Sequence, residues 1–303
     1  MKQTIFFTLL FFTAIVLVSC RKDKYDPNII QYDDDQITAY IKANGLTGMV
    51  RDTSGIYYKI ATPGTGSVVQ YSDSISMVYT LSSFDGKYVS ADTIINHYED
   101  FTGHIESKGY PYGLQLAVHN ILNHRGGIAR LLIPSHLAYG VSGFGSGSSY
   151  VNNSRIAGNE CLDYYIHIIG NQDVYDQSVI KNYIAANGLS SSMKPDPSGI
   201  WYSISTPGTG TVAITDSTTV TATFTVALLN LTLANQFNDG GGAAIDMPDI
   251  IPGMQIALKK YATAGTLMTV LIPSSLAYGK KTQTGITANS CIRYDIQIVS
   301  VSP

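Results

Sequence analysis

Leu132-Ile-Pro-Ser-His-Leu-Ala-Tyr-Gly140 and Leu271-Ile-Pro-Ser-Ser-Leu-Ala-Tyr-Gly279 are two copies of one stretch in a chain of 303 residues. Other pairs surround them in the same order. Ile37-Thr-Ala-Tyr-Ile-Lys-Ala-Asn-Gly-Leu46 matches Ile180-Lys-Asn-Tyr-Ile-Ala-Ala-Asn-Gly-Leu189. Ser54-Gly-Ile-Tyr-Tyr58 matches Ser198-Gly-Ile-Trp-Tyr202, and Thr62-Pro-Gly-Thr-Gly66 matches Thr206-Pro-Gly-Thr-Gly210. Four matches in one order are a duplication, and each copy is the size of a domain. The sequence therefore divides into an export signal (1–19), a polar stalk (20–35), a first domain (36–171) and a second (172–303). Asn171-Gln172-Asp173 joins the two domains, and the stalk carries the acidic cluster Asp33-Asp34-Asp35.

Each copy opens with a short amphipathic helix. Ile37, Tyr40 and Ile41 share one face, as do Ile180, Tyr183 and Ile184, and Asn-Gly follows as a stop. Strands come next. Ile56 to Ile60 is rich in β-formers, and Ile75, Met77 and Tyr79 alternate with polar residues, as do Val220, Ala222 and Phe224. One further helix is predicted per copy, Gly113 to Leu122 and Gly253 to Tyr261. Strands Ala129 to Ile133, Leu162 to Ile169, Leu267 to Ile272 and Ile292 to Val299 complete the pattern. One helix among several antiparallel strands is an α+β domain.

Charged residues make up 14% of the chain and hydrophobic residues 45%, which excludes a disordered, charge-rich polymer. Lys and Arg total 19 against 22 Asp and Glu, so there is no basic footprint for a nucleic-acid partner. At the start, Lys2 precedes the apolar run Ile5 to Leu17, which is signal-peptide length and too short to span a bilayer. It ends in Leu17-Val18-Ser19-Cys20, which resembles a bacterial lipobox. That resemblance implies cleavage before Cys20 and a lipid on its thiol, placing the protein on the bacterial envelope, tethered to the bilayer at the periplasmic face or cell surface. Cys161 and Cys291 stand at matching places in the copies and read as buried free thiols.

The order of strand, Asp-Gly turn, Gly-apolar-Gln helix, Ile-Pro-Ser-x-Leu-Ala-Tyr-Gly and final strand resembles the FKBP-type peptidyl-prolyl isomerases, over nearly all of both copies. The resemblance implies two tandem domains, each a curved antiparallel sheet wrapped around one short helix with an apolar, aromatic-lined pocket between. It implies rotation of X-Pro bonds in exported polypeptides, with no cofactor and no metal, by a monomeric protein. The uncatalysed X-Pro bond faces a barrier of ~18–20 kcal/mol. A dry pocket that holds the prolyl ring and favours the twisted imide over the planar one lowers it by differential binding.

Residue by residue, the resemblance places Tyr79, Tyr110, Leu114 (pocket floor), Ile156 and Tyr164 around the first pocket. Tyr139 takes the Ala-Tyr-Gly position, whose hydroxyl bonds a substrate carbonyl. The second copy offers Phe224 or Ala222, Phe237, Asn238, Ile250, Ile251, Met254 (floor), Ile286 and Tyr294, with Tyr278 at the Ala-Tyr-Gly position. The family's Phe-Asp pair reads as Val89-Ser90 in the first copy and Phe237-Asn238 in the second. The floor is Leu or Met where the best-known members have Trp. Residues 92–109 and the tip Val141 to Asn153 read as extra length in the first copy. These departures imply weak catalysis, or catalysis confined to one copy. They leave open a second class of function, a non-catalytic peptide-binding or chaperone module on the envelope.

Other chemistries are excluded. The Pro-Gly-Thr-Gly turns lack the Lys-Ser/Thr of a phosphate loop. All six His lie in the first copy with no ligand spacing, so activity shared by both copies does not depend on His. Trp201, the sole Trp, aligns with Tyr57 and reads as a core residue.

Overall fold

The computed structural model describes residues 28–148, 151–231, 233–237 and 242–303. The export signal and Cys20 lie outside them. Chain order is α1 (Ile29–Ala43), β1 (Val50–Arg51), β2 (Tyr57–Thr62), β3 (Ser74–Ser83), β4 (Val89–Ser90), β5 (His97–Phe101), α2 (Tyr112–Leu116), β6 (Ile128–Ile133) and β7 (Leu162–Ile168). The second copy follows with α3 (Gln172–Ala186), β8 (Lys194–Pro195), β9 (Trp201–Thr206), β10 (Thr219–Leu228), β11 (Leu233–Phe237), β12 (Ala243–Asp246), α4 (Pro252–Tyr261), β13 (Leu267–Ile272) and β14 (Ile292–Ser302).

Each copy forms one antiparallel sheet of the same topology. The first runs β1-β2-β6-β7-β3-β4 with β5 also on β3; the second runs β8-β9-β13-β14-β10-β11 with β12 also on β10. The period-2 pattern of β3 turns Ile75, Met77 and Leu81 into the core with Leu114, Leu131 and Ile133. Val220, Ala222, Met254, Val270 and Ile272 build the matching core. The opening helices cover the opposite sheet faces: Ile37 packs with Leu132 and Cys161, and Ile180 with Leu271 and Cys291. Both thiols are free. Trp201 packs against the second of these clusters and donates from Nε1 to Gln177 Oε1 at 3.0 Å.

Local chemistry sets the helix limits. The Asn171 side chain accepts from Val174 N at the start of α3. Gly45 and Gly188, just past the Asn stops, take φ of 61° and 65°, where glycine carries no Cβ penalty. Two sequence expectations are corrected. The stalk ends earlier than residue 35, because α1 begins at Ile29 and Asp33 is fully buried within it. Residues 92–109 are no insertion: they contain β5, which pairs with β3 as β12 pairs with β10. The predicted helix Gly113 to Leu122 is α2 followed by a π-helical turn, Ala117–Leu122.

Candidate functional site

In the first copy, side chains from four regions meet around a cavity of about 210 Å³. β3 supplies Tyr79 and Leu81, and the turn before α2 supplies Tyr110. The segment after β6 supplies Tyr139, Phe144 and Ile156, and β7 supplies Tyr164. Tyr79 meets Tyr110 edge-on at 5.8 Å and Tyr164 at 5.6 Å. Phe144 stacks on Tyr139 at 4.6 Å, held there by paired backbone bonds between Phe144 and Ile156. Lys108 stands at the rim, its charge met by Asp100 at 3.1 Å.

The site carries neutral hydroxyls. Burial pushes the Tyr139 hydroxyl up to about 12 and also raises those of Tyr79 and Tyr164. All three keep their protons near neutral pH and act as hydrogen-bond donors, not as bases. Tyr139 and Tyr164 line the same cavity.

The turn bearing Tyr139 is held by close packing. A Cβ on Gly113 would stand 2.6 Å from Ile133 Cγ2 and 3.1 Å from Leu137, so glycine lets α2 approach the strand that leads into Ile-Pro-Ser. Gly253 meets Ile272 and Leu276 in the same way.

Of the sequence candidates, Tyr79, Tyr110, Tyr139, Ile156 and Tyr164 converge on this cavity. Leu114 does not line it; it is fully buried in the core. Leu81, Tyr88, Lys108, Gly109 and Phe144 also line the cavity and were missed. Leu81 had a signal, being two residues beyond Tyr79 on the same strand face. Phe144 sits in a Gly-rich tip that offered none.

In the second copy Tyr294 and Tyr278 pack on one apolar cluster, and burial again raises the Tyr294 hydroxyl. Phe224 lies 6.2 Å from Tyr294. Opposite Ile296 on β14, Phe224 occupies the place Tyr79 holds opposite Ile166, which settles the choice against Ala222. Tyr278, Phe224 and Tyr294 share a cluster with the buried Ile286. Met254, Ile250 and Ile251 belong to the core around α4. One alignment is corrected. Leu233 pairs with Ala227 and Asn235 with Val226, as Val89 pairs with Ser82 and Ser90 with Leu81. Phe237 therefore stands two places further on, opposite Phe224. Asn238 lies outside the described residues.

The model of the FKBP-type peptidyl-prolyl cis-trans isomerase family matches residues 210–299. The FKBP-type peptidyl-prolyl cis-trans isomerase FkpA of Buchnera aphidicola from Acyrthosiphon pisum is 32% identical over 123 residues, 40% of this chain and 48% of the relative. FkpA of Escherichia coli K12 is 29% identical over 124 residues, 41% of this chain and 45% of the relative. The outer membrane protein MIP of Legionella longbeachae is 31% identical over 121 residues, 39% of this chain and 51% of the relative. The chain thus spans about half the length of these relatives. The crystal structure of Escherichia coli FkpA matches with a TM-score of 0.39 at 26% identity, over 43% of this chain and 61% of that one. The three FKBP domains of wheat FKBP73 match with a TM-score of 0.32 at 17% identity, over 84% and 99%. The family match lies within the second copy, and the first copy repeats its motif order and its strand topology.

Proposed function

We propose that the protein accelerates cis–trans rotation of X-Pro bonds in exported polypeptides, at the aromatic cavity of the first copy. The observation that carries this is the convergence of Tyr79, Tyr110, Tyr139, Ile156 and Tyr164 on one recess of about 210 Å³. A water's share of liquid volume is ~30 Å³, so the recess has room for a prolyl ring and its preceding carbonyl. The apolar walls take the ring and exclude water. The twisted imide has lost amide resonance and is less polar, so it enters such a recess at lower cost than the planar form. Tyr139, kept protonated by burial, donates its hydroxyl proton to the substrate carbonyl. In the second copy Phe224, Tyr278, Ile286 and Tyr294 offer the same elements in reduced form.

Within this reading the protein works as a monomer on the bacterial envelope, tethered through a lipid on Cys20. No described helix is long and apolar enough to cross a membrane. A second reading, a peptide-holding module, draws on the rim: Val141 is 78% and Phe144 44% exposed beside the recess. The test is catalysed isomerisation of an X-Pro-Phe peptide by residues 21–303, with Tyr139→Phe and Tyr278→Phe alongside. Acceleration that falls about tenfold in Tyr139→Phe, the weight of one hydrogen bond at ~1.4 kcal/mol, supports catalysis in the first recess. No acceleration, with peptide binding retained, selects the holding module.

A further inference from the structure

Asp33 and Asp176 are fully buried carboxylates that line neither the recess nor its rim. Each lies on the helix that opens its copy, four residues before the first buried isoleucine, Ile37 or Ile180. Both reach across to the same motif. Asp33 Oδ1 accepts from Ser135 Oγ at 2.7 Å, and its Oδ2 accepts from His136 N at 3.1 Å and faces His136 Nδ1 at 2.7 Å. Asp176 Oδ2 accepts from Ser274 N at 2.7 Å and Ser274 Oγ at 2.6 Å, and its Oδ1 accepts from Gln172 Nε2 at 2.8 Å. The thiols of Cys161 and Cys291 close the two sites, 3.6 Å from Asp33 Oδ1 and 3.9 Å from the Asp176 carbonyl.

Burying a carboxylate costs several kcal/mol unless hydrogen bonds repay it, and an apolar residue would fill these places at no such cost. What the carboxylates supply is direction. Ser135 and Ser274 begin the short 3-10 turns Ser135–Leu137 and Ser274–Leu276. Four residues beyond each serine stands the Ala-Tyr-Gly tyrosine. At the far end the turn is tied by Asn159 N to Gly140 O at 2.8 Å, and Asn289 N to Gly279 O at 2.7 Å. Each tyrosine is therefore strung between a carboxylate anchor and an asparagine backbone anchor.

We propose that Asp33 and Asp176 are positioning residues, which fix the hydroxyls of Tyr139 and Tyr278 by holding the first residue of the turn that carries them. The rate effects below rest on the isomerase reading; the geometry does not.

The test replaces Asp33 by Asn, nearly the same shape with one carboxylate acceptor lost. In the full chain Asp33→Asn lowers kcat about tenfold and changes KM less than twofold, because the apolar walls that bind the ring are untouched. In a Tyr139→Phe background it lowers the rate no further, since the group it positions is gone. A general structural role would multiply the two losses instead and overturn the proposal. Independently of activity, ¹³Cζ-tyrosine resonances of Tyr139 and Tyr164 shift in Asp33→Asn while those of Tyr278 and Tyr294 stay, and Asp176→Asn does the reverse. Unmoved resonances overturn the proposal. If the wild-type chain accelerates nothing, the isomerase reading fails and the resonances alone decide the clamp. If Asp33→Asn does not fold, Ser135→Ala, which removes one of the anchoring bonds and keeps the carboxylate on His136 N, takes its place in every arm.

Discussion

Replacing Gly113 by Ala sets two effects of opposite sign against each other. Helix propensity alone stabilises the change by ~0.8–1 kcal/mol. Packing opposes it. The new Cβ would lie 2.6 Å from Ile133 Cγ2, about 1 Å inside the ~3.5–4.0 Å optimum for carbon pairs, and 3.1 Å from both Leu137 Cβ and Leu137 O. Ile133 is fully buried and β-branched, so it has little freedom to turn away. Overpacking of this kind costs ~1–3 kcal/mol, leaving a net destabilisation of about 1 kcal/mol. Relief comes by moving α2 off the strand, and Leu137 stands two residues before Tyr139. A shift of that turn approaching 1 Å costs up to ~10²-fold in rate where geometry is catalytic, and about tenfold is expected here. The assays are urea denaturation followed by far-UV circular dichroism, and peptide isomerisation. Trp201, the sole Trp, lies in the second copy, so its fluorescence transition follows Gly253→Ala and not Gly113→Ala. The double variant Gly113→Ala/Ile133→Ala is less destabilised than the sum of its parts, because removing Cγ2 removes the clash. A stabilised Gly113→Ala, or strict additivity with Ile133→Ala, refutes the reasoning.

Other outcomes follow from single features. Leu114→Ala empties a fully buried core position and costs ~2–5 kcal/mol by denaturation. His97 is held neutral by burial, its pKa lowered to about 4 although Glu99 pulls the other way, and it is hydrogen-bonded to Ser76 at 2.7 Å. The unfolded chain takes up that proton first, so this contribution is present above pH ~6.5 and lost as pH falls toward 4. Stability drops by about 2 kcal/mol between pH 7 and 5, and His97→Gln flattens that slope. Phe144→Ala removes the ring stacked on Tyr139 at the mouth, so it raises KM for peptides with an aromatic residue beside proline more than it lowers kcat.

Most of the sheet was legible because its signals are local. The alternation Ile75, Met77, Tyr79 fixed the buried face of β3, and the doubled Ile-Pro-Ser-x-Leu-Ala-Tyr-Gly placed Tyr139 and Tyr278 in equivalent turns. What failed to read depends on distant partners. Asp33-Asp34-Asp35 looks like a solvated stalk until Ser135 and His136, about a hundred residues away, supply bonds to Asp33. Residues 92–109 looked inserted because β5 and β12 share place and pairing but not sequence. The Phe237 misalignment has a similar source: the irregularity between Val226 and Ala227 changes the strand register, and no local pattern announces it. The aromatic tip residue Phe144 reaches the recess only through its bridge to Ile156.

The two copies also serve as an internal comparison. Both keep the carboxylate on the Ile-Pro-Ser serine, the glycine pressed on the strand isoleucine and a second tyrosine grouped with the Ala-Tyr-Gly tyrosine; all three bear on where one hydroxyl sits. They differ in what surrounds the mouth. In the first copy the tip is tied to its own hairpin, with Asn153 N on Lys87 O at 2.7 Å and Asn153 Oδ1 accepting from Val89 N at 2.7 Å. In the second, the shorter loop after Tyr278 is tied to the first copy: Lys280 Nζ reaches Glu99 Oε1 at 2.6 Å, Asn289 Nδ2 reaches Glu99 Oε2 at 2.7 Å and Thr287 Oγ1 donates to the Ile94 carbonyl. The second mouth is thus built partly from the first copy, while the first uses its own residues. Cutting the chain between copies would strip the second mouth of these ties and confound a loss of activity with a loss of structure. Activity is assigned to a copy by Tyr139→Phe and Tyr278→Phe in the whole chain. Glu99→Gln, which weakens the tie to Lys280, alters only the share of activity that Tyr278→Phe removes.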